Sequence, residues 1–359
     1  MATGRLNFMP EPGRLELREY ELPEVDDGAV LLRVLAAGVC GSELHTFNGH
    51  HPMRSGVLGH EMIGEVTDRV RRETDSAGRP IAPGDRVTAP FFLTCLACPA
   101  CGRGELNLCH HVYDIWHQHP DLFPHFTGTH ASHYYVSPSQ FLFRVPDEVP
   151  DTVAASANCG LSQVWAGVAR AELRAGEHLV VQGAGGLGLY ATAVAKERGA
   201  TVTVIDGVAQ RLRTAEAFGA DHVISMQDLP DAADRAARVR ELTGGEGADC
   251  VMEVAGVPAA FAEALDLVRI GGRIVEIGNV TPGTTQPFDV SALTRRAIRI
   301  IPVIRYLPWE LDEALGFLAR NVGRLPFAEL LDRAYPLDGL EDALRDSQAR
   351  RVNRAVIVP

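Results

Sequence analysis

The pattern of hydrophobic and polar positions changes near residue 150. Before it, short apolar runs alternate with Gly- and Pro-containing turns, as in AVLLRVLAAGVC (29–40), GVLGHEMIGEV (56–66) and DRVTAPFF (85–92). Short apolar runs bounded by turn residues are typical of β-strands. The first part of the chain is therefore predicted to be an irregular, mainly β unit with long loops.

After Val153, β-rich runs alternate with segments of helical period. The predicted strands are HLVVQGAG, TVTVID, DHVIS, DCVMEVAG and RIVEIG, with helical segments such as GLYATAVAKERG between them. Strands and helices that alternate in this way form parallel sheets with right-handed crossovers. The fold class is thus predicted to be α/β, with a doubly wound parallel sheet beside the mainly β unit. After about residue 295 only an amphipathic helix and a final strand, RAVIVP, follow.

Composition adds little to the fold but excludes some partners. The chain has 359 residues, 46% hydrophobic and 22% charged, which suits a globular protein of two domains. The net charge of −12 argues against nucleic acid as a partner. No apolar run reaches the ~18 residues of a membrane span, and the N-terminal segment lacks the apolar stretch of a signal peptide. A cytoplasmic protein without a membrane segment is expected.

A glycine-rich motif joins the first strand of the second part to its first helix. GAGGLG places Gly183, Gly185 and Gly188 in G-x-G-x-x-G spacing, with Gly186 and Leu187 at the positions between. Between a strand and a helix, such glycines allow a tight turn, close approach of a pyrophosphate, and packing of helix on strand. The helix N-terminus then faces the phosphate charge. The motif predicts a dinucleotide site.

Asp206 ends the next predicted strand, 18 residues after Gly188. A carboxylate at this place accepts hydrogen bonds from the adenosine ribose and repels a 2′-phosphate, which favours NAD over NADP. Arg211 and Arg213 follow it and are the residues that would favour NADP. We predict NAD as the cofactor, with Asp206 and Arg211 in its site.

Four of the seven cysteines lie within fifteen residues, at Cys95, Cys98, Cys101 and Cys109. Four thiolates are the ligand set of a closed, structural zinc site. The C-x2-C-x2-C spacing also begins an iron–sulfur signature, but that signature continues with x3-C-P, and here x7 precedes the last cysteine. Without a signal peptide, a disulfide framework is disfavoured. A structural zinc is predicted, with an iron–sulfur cluster as the alternative.

A second set of metal-binding side chains is dispersed along the chain. Cys40 lies in CGSELH, His60 and Glu61 lie in GHE, and Cys159 lies in NCG. Two thiolates and one imidazole leave a fourth position of a tetrahedral zinc open, which is the arrangement of catalytic sites.

In the order CGSELH, GHEMIGEV, GDRV, the four-cysteine segment, NCG and GAGGLG, the chain resembles the zinc-dependent medium-chain alcohol dehydrogenases. The resemblance implies a GroES-like catalytic domain over residues 1–155, a Rossmann domain over 156–295, and a return to the catalytic domain over 296–359. It implies reversible oxidation of a primary or secondary alcohol to an aldehyde or ketone with NAD (EC 1.1.1.-). Two zinc ions per chain are expected.

The resemblance also implies roles for individual residues. Cys40, His60 and Cys159 would hold the catalytic zinc, with Glu61 beside it as an occasional ligand. Ser42 would bond the alcohol, and His45 would form the outer end of a proton relay to solvent. The expected lining of the substrate pocket is Phe47, His50, His51, Phe91 and Trp116.

Some positions depart from the family pattern. Glu43 replaces the aspartate common after the serine, so a longer or water-mediated contact to the zinc-bound histidine is expected. Gly41 replaces an arginine of some polyol dehydrogenases, and Cys159 replaces the glutamate typical of that branch. A polyol, sugar-alcohol or threonine-like dehydrogenase is the alternative function. A metal-free quinone or enoyl reductase shares the fold but lacks the cysteines and GHE.

The expected partners are a small alcohol or carbonyl compound and further copies of the chain in a homodimer or homotetramer. Seven histidines fall between residues 110 and 133 without the spacing of a metal site. They predict a polar loop near the cleft.

Overall fold

The computed structural model of the chain describes residues 2–280 and 282–359. These residues form sixteen β-strands and eleven α-helices. The strands are β1 (Thr3–Glu11), β2 (Arg14–Glu21), β3 (Val30–Gly38), β4 (Gly56–Val57), β5 (Ile63–Val70), β6 (Arg86–Thr88), β7 (His133–Val136), β8 (Phe143–Arg144), β9 (His178–Gln182), β10 (Thr201–Asp206), β11 (His222–Ser225), β12 (Ala248–Glu253), β13 (Val268–Glu276), β14 (Arg299–Pro302), β15 (Arg333–Tyr335) and β16 (Ala355–Ile357).

The helices connect these strands and, in the second half of the chain, alternate with them. They are α1 (Gly41–Phe47), α2 (Pro99–Gly102), α3 (Asp151–Ala154), α4 (Ser162–Arg170), α5 (Gly186–Glu197), α6 (Ala209–Ala217), α7 (Ala232–Leu242), α8 (Pro258–Leu267), α9 (Val290–Arg296), α10 (Pro308–Asn321) and α11 (Leu340–Gln348). A π-helical turn at Ala157–Leu161 precedes α4. Among the described residues, no helix has the length and apolar character needed to cross a membrane.

The chain divides into two compact units, Met1–Cys159 with Leu307–Pro359, and Gly160–Tyr306. The first unit is mainly β. It contains a three-stranded sheet, β2-β1-β4, and a seven-stranded sheet in the order β15-β16-β3-β5-β6-β8, with β7 also paired to β3. Because β3 has neighbours on both edges, most of its side chains are buried. The core between these elements includes Leu32, Val34, Met62, Val87 and Leu344.

The apolar run 56–66 forms two strands, β4 and β5, and not the single strand predicted for it. Gly59 has a positive φ of 101°, which ends the first strand. The loop between β4 and β5 is held by residues 129–130. Thr129 donates its backbone N–H to the Gly59 carbonyl at 3.0 Å, and His130 donates its backbone N–H to the Leu58 carbonyl at 3.0 Å. His60 and Glu61 therefore lie in the loop between β4 and β5 and not in a strand.

The second unit contains a six-stranded sheet in the order β11-β10-β9-β12-β13-β14. Every neighbouring pair in it is parallel. All five residues of β9 are buried, since a parallel sheet with helices on both faces shields its central strands from water. The predicted α/β class, with a doubly wound parallel sheet beside a mainly β domain, is confirmed.

The second unit extends beyond residue 295, where we placed the end of the nucleotide domain. β14 pairs with β13 in parallel register, with Ile300 opposite Ile274, and so adds a sixth strand to the sheet. The short run RIIP (299–302) follows the last clear alternation of helices and strands in the sequence. It joins the sheet by pairing with β13, and the local sequence pattern does not show this pairing. The unit accordingly ends at Tyr306.

Candidate active site and metal sites

Two groups of side chains in the first unit could each hold a metal ion. In each group the potential ligand atoms all lie within 4.8 Å of one another. The groups are Cys95, Cys98, Cys101 and Cys109, and Cys40, His60, Glu61 and Cys159. The described residues contain no third group of this kind.

The four-cysteine group is built around the short helix α2. Cys98 precedes that helix, Cys101 lies on it, and the Sγ atoms of Cys98 and Cys109 are 3.9 Å apart. Four sulfurs bonded tetrahedrally to one zinc at ~2.3 Å lie about 3.8 Å apart, so this spacing suits a single ion. In a four-iron cluster each thiolate binds a separate iron, which requires a wider arrangement of sulfurs.

Backbone N–H groups point at the sulfurs of this group. Cys95 donates to Cys109 Sγ at 3.3 Å, and Cys98 donates to Cys95 Sγ at 3.3 Å. Hydrogen bonds from the backbone of Cys101 and His110 lower the pKa of the Cys98 thiol to about 5. N–H donors favour the thiolate form, which is the form that binds metal.

The second group comes from three separated parts of the chain. Cys40 caps the N-terminus of α1, His60 and Glu61 follow Gly59 in the loop between β4 and β5, and Cys159 lies in the π-helical turn. Cys159 Sγ and His60 Nε2 are 3.4 Å apart. Cys159, His60 and Glu61 are buried and Cys40 is partly exposed, so the group lies below the surface with one accessible side.

The electrostatics of this group favour a thiolate on Cys40. A hydrogen bond from Cys159 and the charge of His60 hold the pKa of Cys40 well below its usual range, in spite of burial. The same hydrogen bond, together with burial, raises the pKa of Cys159. Burial alone would lower the pKa of His60. The negative charges of Cys40 and Glu43 have the larger effect, so the pKa of His60 is raised. A cation at this place would replace the protons that the group now holds.

Glu43 contacts the second group through both of its carboxylate oxygens. One of its carboxylate oxygens lies 3.3 Å from His60 Nδ1, and the other accepts the Cys40 backbone N–H at 2.9 Å. The second oxygen also lies 3.1 Å from Nε2 of the buried His130. The charges of His130 and His60 lower the pKa of Glu43 although burial opposes this. Glu43 faces inward from the first turn of α1, and its Oε1, 3.3 Å from His60 Nδ1, has no hydrogen-bond partner among the described residues, so the contact is a long one as expected.

Glu61 has a partner from the other end of the chain. The Arg354 guanidinium contacts the Glu61 carboxylate and also donates to the Val39 carbonyl at 3.4 Å. Burial raises the pKa of Glu61 to about 8, although the charge of Arg354 opposes the rise. Arg354 therefore fixes the direction of the carboxylate beside Cys40 and His60.

The glycine-rich motif of the second unit forms the turn between β9 and α5. Gly183 has a φ of 103°, and a Cβ on Gly188 would overlap the Gly183 carbonyl oxygen. A Cβ on Gly185 would meet no atom within 4 Å, so this glycine borders open space. Gly186 and Leu187 form the first turn of the twelve-residue helix α5. A glycine-rich turn with open space at the N-terminus of a helix is the arrangement that binds a pyrophosphate.

Asp206 ends β10 beside this turn. Its carboxylate oxygens accept the backbone N–H groups of Ala184 and Val208, both at 2.7 Å. Asp206 thus holds the glycine-rich turn in place. Arg211 follows on α6 and is half-buried, whereas Arg213 is exposed.

Comparison with known proteins identifies the family of the chain. The family models described as "Alcohol dehydrogenase GroES-like domain" and "Zinc-binding dehydrogenase" match residues 26–147 and 186–320. A probable alcohol dehydrogenase of Mycobacterium tuberculosis is 33% identical over 364 residues, which cover 98% of this chain and 96% of the relative. The chain belongs to the zinc-dependent medium-chain alcohol dehydrogenase family. It is an oxidoreductase of that type, as its sequence motifs predicted.

Other members of the family differ in their substrates. A sorbitol dehydrogenase of Halalkalibacterium halodurans is 28% identical over 352 residues, covering 97% of this chain and 96% of the relative. The solved structure of an alcohol dehydrogenase from Thermotoga maritima has 28% identity and a TM-score of 0.93, with all of both chains covered. The chain is thus similar both to alcohol dehydrogenases and to a sorbitol dehydrogenase.

A partly open pocket lies in the first unit beside the second metal-binding group. It is lined by Ser42, Glu43, Thr46, His51, Met53, Val57, Leu58, Gly59, His60 and Trp116. His60 belongs both to the metal-binding group and to the cavity wall. The cavity therefore borders the potential metal site at His60.

The predicted pocket residues fall into two sets. His51 and Trp116 line the cavity, and Phe91 packs edge-on against the His60 ring with centroids 5.5 Å apart. Phe47 and His50 are not among the lining residues, because Phe47 packs against the hydrophobic core and His50 is exposed after the end of α1. Of the two relay residues, Ser42 lines the cavity and His45 is exposed on the same helix.

Several residues of the site were absent from the sequence prediction. Arg354 lies 293 residues from Glu61, with no motif around it. His130 is one of the seven histidines of the 110–133 segment, and its neighbours have other contacts. His119 packs against Phe8 and His125 stacks on Tyr20. Only the tertiary structure distinguishes the histidine that supports the site from those that do not.

Replacing Glu43 by Ala should destabilise the protein by about 3 kcal/mol, because the Cys40 N–H and two imidazoles lose a buried acceptor. Urea unfolding monitored by circular dichroism measures the difference. The matched control is Glu65→Ala, which removes an acidic side chain paired with Arg33 at 3.0 Å on the surface. That change should cost less than about 1 kcal/mol. Equal stability of the two variants would contradict the support assigned to Glu43.

Proposed function

We propose that this chain catalyses the reversible oxidation of an alcohol to an aldehyde or ketone with transfer of hydride to NAD. The observation that carries the proposal is the buried group of Cys40, His60 and Cys159, which shares His60 with a cavity wall. Two thiols and one imidazole match the protein ligands of a catalytic zinc, and the cavity supplies a place for the substrate. Glu61, held by Arg354, is the occasional fourth ligand.

Zinc bound by this group would act as a Lewis acid that lowers the pKa of an alcohol hydroxyl. The chain's own residues would then move the proton. Ser42 lines the cavity and offers a hydroxyl that accepts a hydrogen bond from the substrate. His45 lies one turn further along α1 and is exposed, so it is placed to release the proton to solvent. Glu43 fixes the orientation of the His60 ring from the other side.

We assign NAD to the glycine-rich turn of the second unit, which has the family's dinucleotide motif. The pyrophosphate would lie over Gly185 at the N-terminus of α5, where no side chain fills the space. Asp206 would accept the adenosine ribose hydroxyls with lone pairs that its two backbone donors leave unused. Its negative charge disfavours the 2′-phosphate of NADP, whereas Arg211 would favour it. The hydride acceptor is the cofactor itself, and the protein orients it.

The four-cysteine group is assigned to a second, structural zinc. Its four sulfurs would fill a tetrahedral shell and leave no position for a substrate. This ion would hold together a segment with little regular structure, in which α2 spans only four residues. A closed site of this kind contributes to folding and takes no part in the reaction.

The cavity favours a hydrophobic or aromatic alcohol over a polyol. Met53, Val57, Leu58 and Trp116 form much of its wall, and Phe91 packs on the His60 ring beside it. Of the polar lining residues, Glu43 accepts the Cys40 backbone N–H at 2.9 Å, and His60 Nε2 lies 3.4 Å from Cys159 Sγ. A polyol needs a hydrogen-bonding partner for each further hydroxyl, since an unpaired buried hydroxyl is costly. Polyol oxidation is the second candidate, supported by the similarity to a sorbitol dehydrogenase.

We further propose a cytoplasmic homodimer, with a homotetramer as the alternative. β14 is the edge strand of the six-stranded sheet, and its residue Ile300 is 37% exposed. Val290 on the neighbouring helix α9 is 66% exposed. An open edge with exposed apolar side chains is a surface that a second copy can cover.

Replacing Cys40 by Ser should remove one of two zinc ions per chain and lower turnover by at least about 10³-fold, since the Lewis acid is lost. Binding of NADH should stay within about threefold, because the glycine-rich turn is unchanged. Metal analysis, steady-state kinetics and NADH fluorescence measure the three quantities. The control is Cys250→Ala, a buried thiol outside both groups, which should keep both ions. Retained turnover in Cys40→Ser would overturn the zinc assignment.

Replacing Asp206 by Gly should lower the ratio of kcat/KM for NAD to that for NADP by at least about tenfold, because the charge that repels the 2′-phosphate is removed. The matched control is Asp228→Gly, an exposed acidic residue in the loop after β11. Its ratio should equal that of the wild type. An unchanged ratio in Asp206→Gly would count against the role of Asp206.

A panel of alcohols tests the substrate class through the absorbance of NADH. Benzyl alcohol should have a kcat/KM at least about 100-fold above that of sorbitol, because the cavity leaves polyol hydroxyls unpaired. Trp116→Ala should lower the benzyl alcohol value by about tenfold through loss of aromatic packing. The control, Trp309→Ala, changes a tryptophan that is 45% exposed and should have no effect. A preference for sorbitol would establish the polyol candidate instead.

A further inference from the structure

Two glutamates meet at the carboxyl ends of adjacent strands in the second unit. β12 ends at Glu253 and β13 ends at Glu276, and the two residues are register partners. The amide of Asn279 lies between them, with its Nδ2 2.9 Å from Glu253 Oε2 and 3.0 Å from Glu276 Oε1. Glu253 is completely buried. One side-chain amide thus bridges two carboxyl groups.

Glu253 also holds the loop that follows it. Its Oε1 accepts the backbone N–H groups of Ala255 at 2.7 Å and Gly256 at 2.9 Å. Gly256 has a φ of 70°, and a Cβ there would lie 2.8 Å from the Gly278 carbonyl oxygen. The loops after β12 and β13 are therefore packed backbone against backbone, with Glu253 bonded to both.

The same loop contacts the glycine-rich turn. A Cβ on Gly183 would lie 3.1 Å from the Ala255 Cα, so the two segments touch. Val254 donates its backbone N–H to Gln182, the residue before Gly183, at 3.1 Å. In an open α/β sheet, ligands bind outside the carboxyl ends of the strands. The loops fixed by Glu253 thus form one wall of the proposed dinucleotide site.

Two carboxylates that share one bridging amide in a buried place repel each other, which disfavours ionisation of both. Burial first, and then the hydrogen bond and charge of Glu276, raise the pKa of Glu253 to about 8. Two buried oxygens beside Glu253 have no hydrogen-bond partner among the described residues, Glu276 Oε2 and Gln182 Oε1. Glu276 Oε2 belongs to the register partner of Glu253 and is the acceptor available for a proton carried by Glu253. One proton held between Glu253 and Glu276 therefore gives the unpartnered carboxylate oxygen a hydrogen bond and removes the repulsion between two negative charges.

The other charged groups on the surrounding elements are paired, exposed or distant. They are Asp249, Arg269 and Arg273 on β12 and β13, Arg235 on α7, Glu263 on α8, Arg170 on α4, Arg295 and Arg296 on α9, and Arg299 on β14. Arg235 and Glu263 pair at 2.6 Å, Arg269 pairs with Asp249 at 2.7 Å, and Arg273 pairs with Glu177 at 2.6 Å. Arg296 contacts the Leu265 and Val268 carbonyls, Arg170 donates to the Arg305 carbonyl at 3.0 Å, and Arg295 and Arg299 are exposed.

We propose that Glu253 and Glu276 share one proton, and that this singly protonated pair positions the loops 254–256 and 278–279 for dinucleotide binding. The inference rests on the proposed function. Both glutamates are positioning residues, because they act through loops that they hold. Loss of the shared proton leaves two negative charges side by side and separates the loops, so affinity for the dinucleotide falls as pH rises.

The test is the dissociation constant of NADH, measured by fluorescence from pH 6.5 to 9.5 on the purified enzyme. In the wild type it should be constant at neutral pH and rise by up to about tenfold by pH 9, as expected when binding requires one proton. In Glu276→Gln the amide donates to Glu253 permanently, so the constant should not rise. Glu246→Gln makes the same change at an exposed residue before β12 and should keep the wild-type profile.

Glu253→Gln provides an independent second variant. It retains an oxygen for the Ala255 and Gly256 N–H groups, loses the hydrogen bond from Asn279 at the other position, and donates its amide to Glu276. Affinity for NADH should fall at every pH, but the profile should also be flat. Thermal unfolding shows which variants are folded. A flat wild-type profile, or a wild-type profile in a folded variant of either glutamate, would overturn the inference and leave the proposed function standing. Absence of NADH binding to the wild type at every pH would overturn both.

Discussion

A pair of thiols and an imidazole can be buried together only if other groups compensate their charge and hold their direction, and Glu43 does both. Its carboxylate faces the Cys40 backbone N–H, His60 and His130 at once. The position of Glu43 follows from α1, which begins directly after Cys40. One helical turn thus places the proposed metal ligand Cys40, its support Glu43, and Ser42 in the cavity wall.

Both units use a buried glutamate to hold loops together. In the first unit Glu43 bonds the start of α1 to the loop that contains His60 and to His130. In the second unit Glu253 bonds the loops after β12 and β13. A carboxylate has two oxygens with about four acceptor positions, so one side chain can order several backbone N–H groups. The cost of burying its charge is offset where those donors are all present.

Much of the site could be predicted from the sequence, because its chemistry depends on residue types at short spacings. Gly183 to Gly188 and the four cysteines from Cys95 to Cys109 are local motifs whose spacing reflects a turn and a coordination shell. The parallel sheet could also be predicted, since its buried strands are continuous apolar runs.

The remaining features depend on contacts between distant parts of the chain. Arg354 reaches Glu61 across 293 residues, and Glu276 meets Glu253 only because two strands are neighbours in the sheet. The loop at His60 was predicted as strand because alternation of apolar residues does not show the positive φ of Gly59. β14 was left outside the nucleotide domain for a similar reason, since its place is set by pairing with β13.

The most direct test of the central claim is a crystal structure of the enzyme with anomalous diffraction recorded at the zinc absorption edge. Two peaks per chain are predicted, one enclosed by the four sulfurs of Cys95, Cys98, Cys101 and Cys109, and one among Cys40, His60 and Cys159 beside the cavity. A peak at the four-cysteine group alone, with none at Cys40, would contradict the claim that the buried thiol and imidazole group is the catalytic metal site.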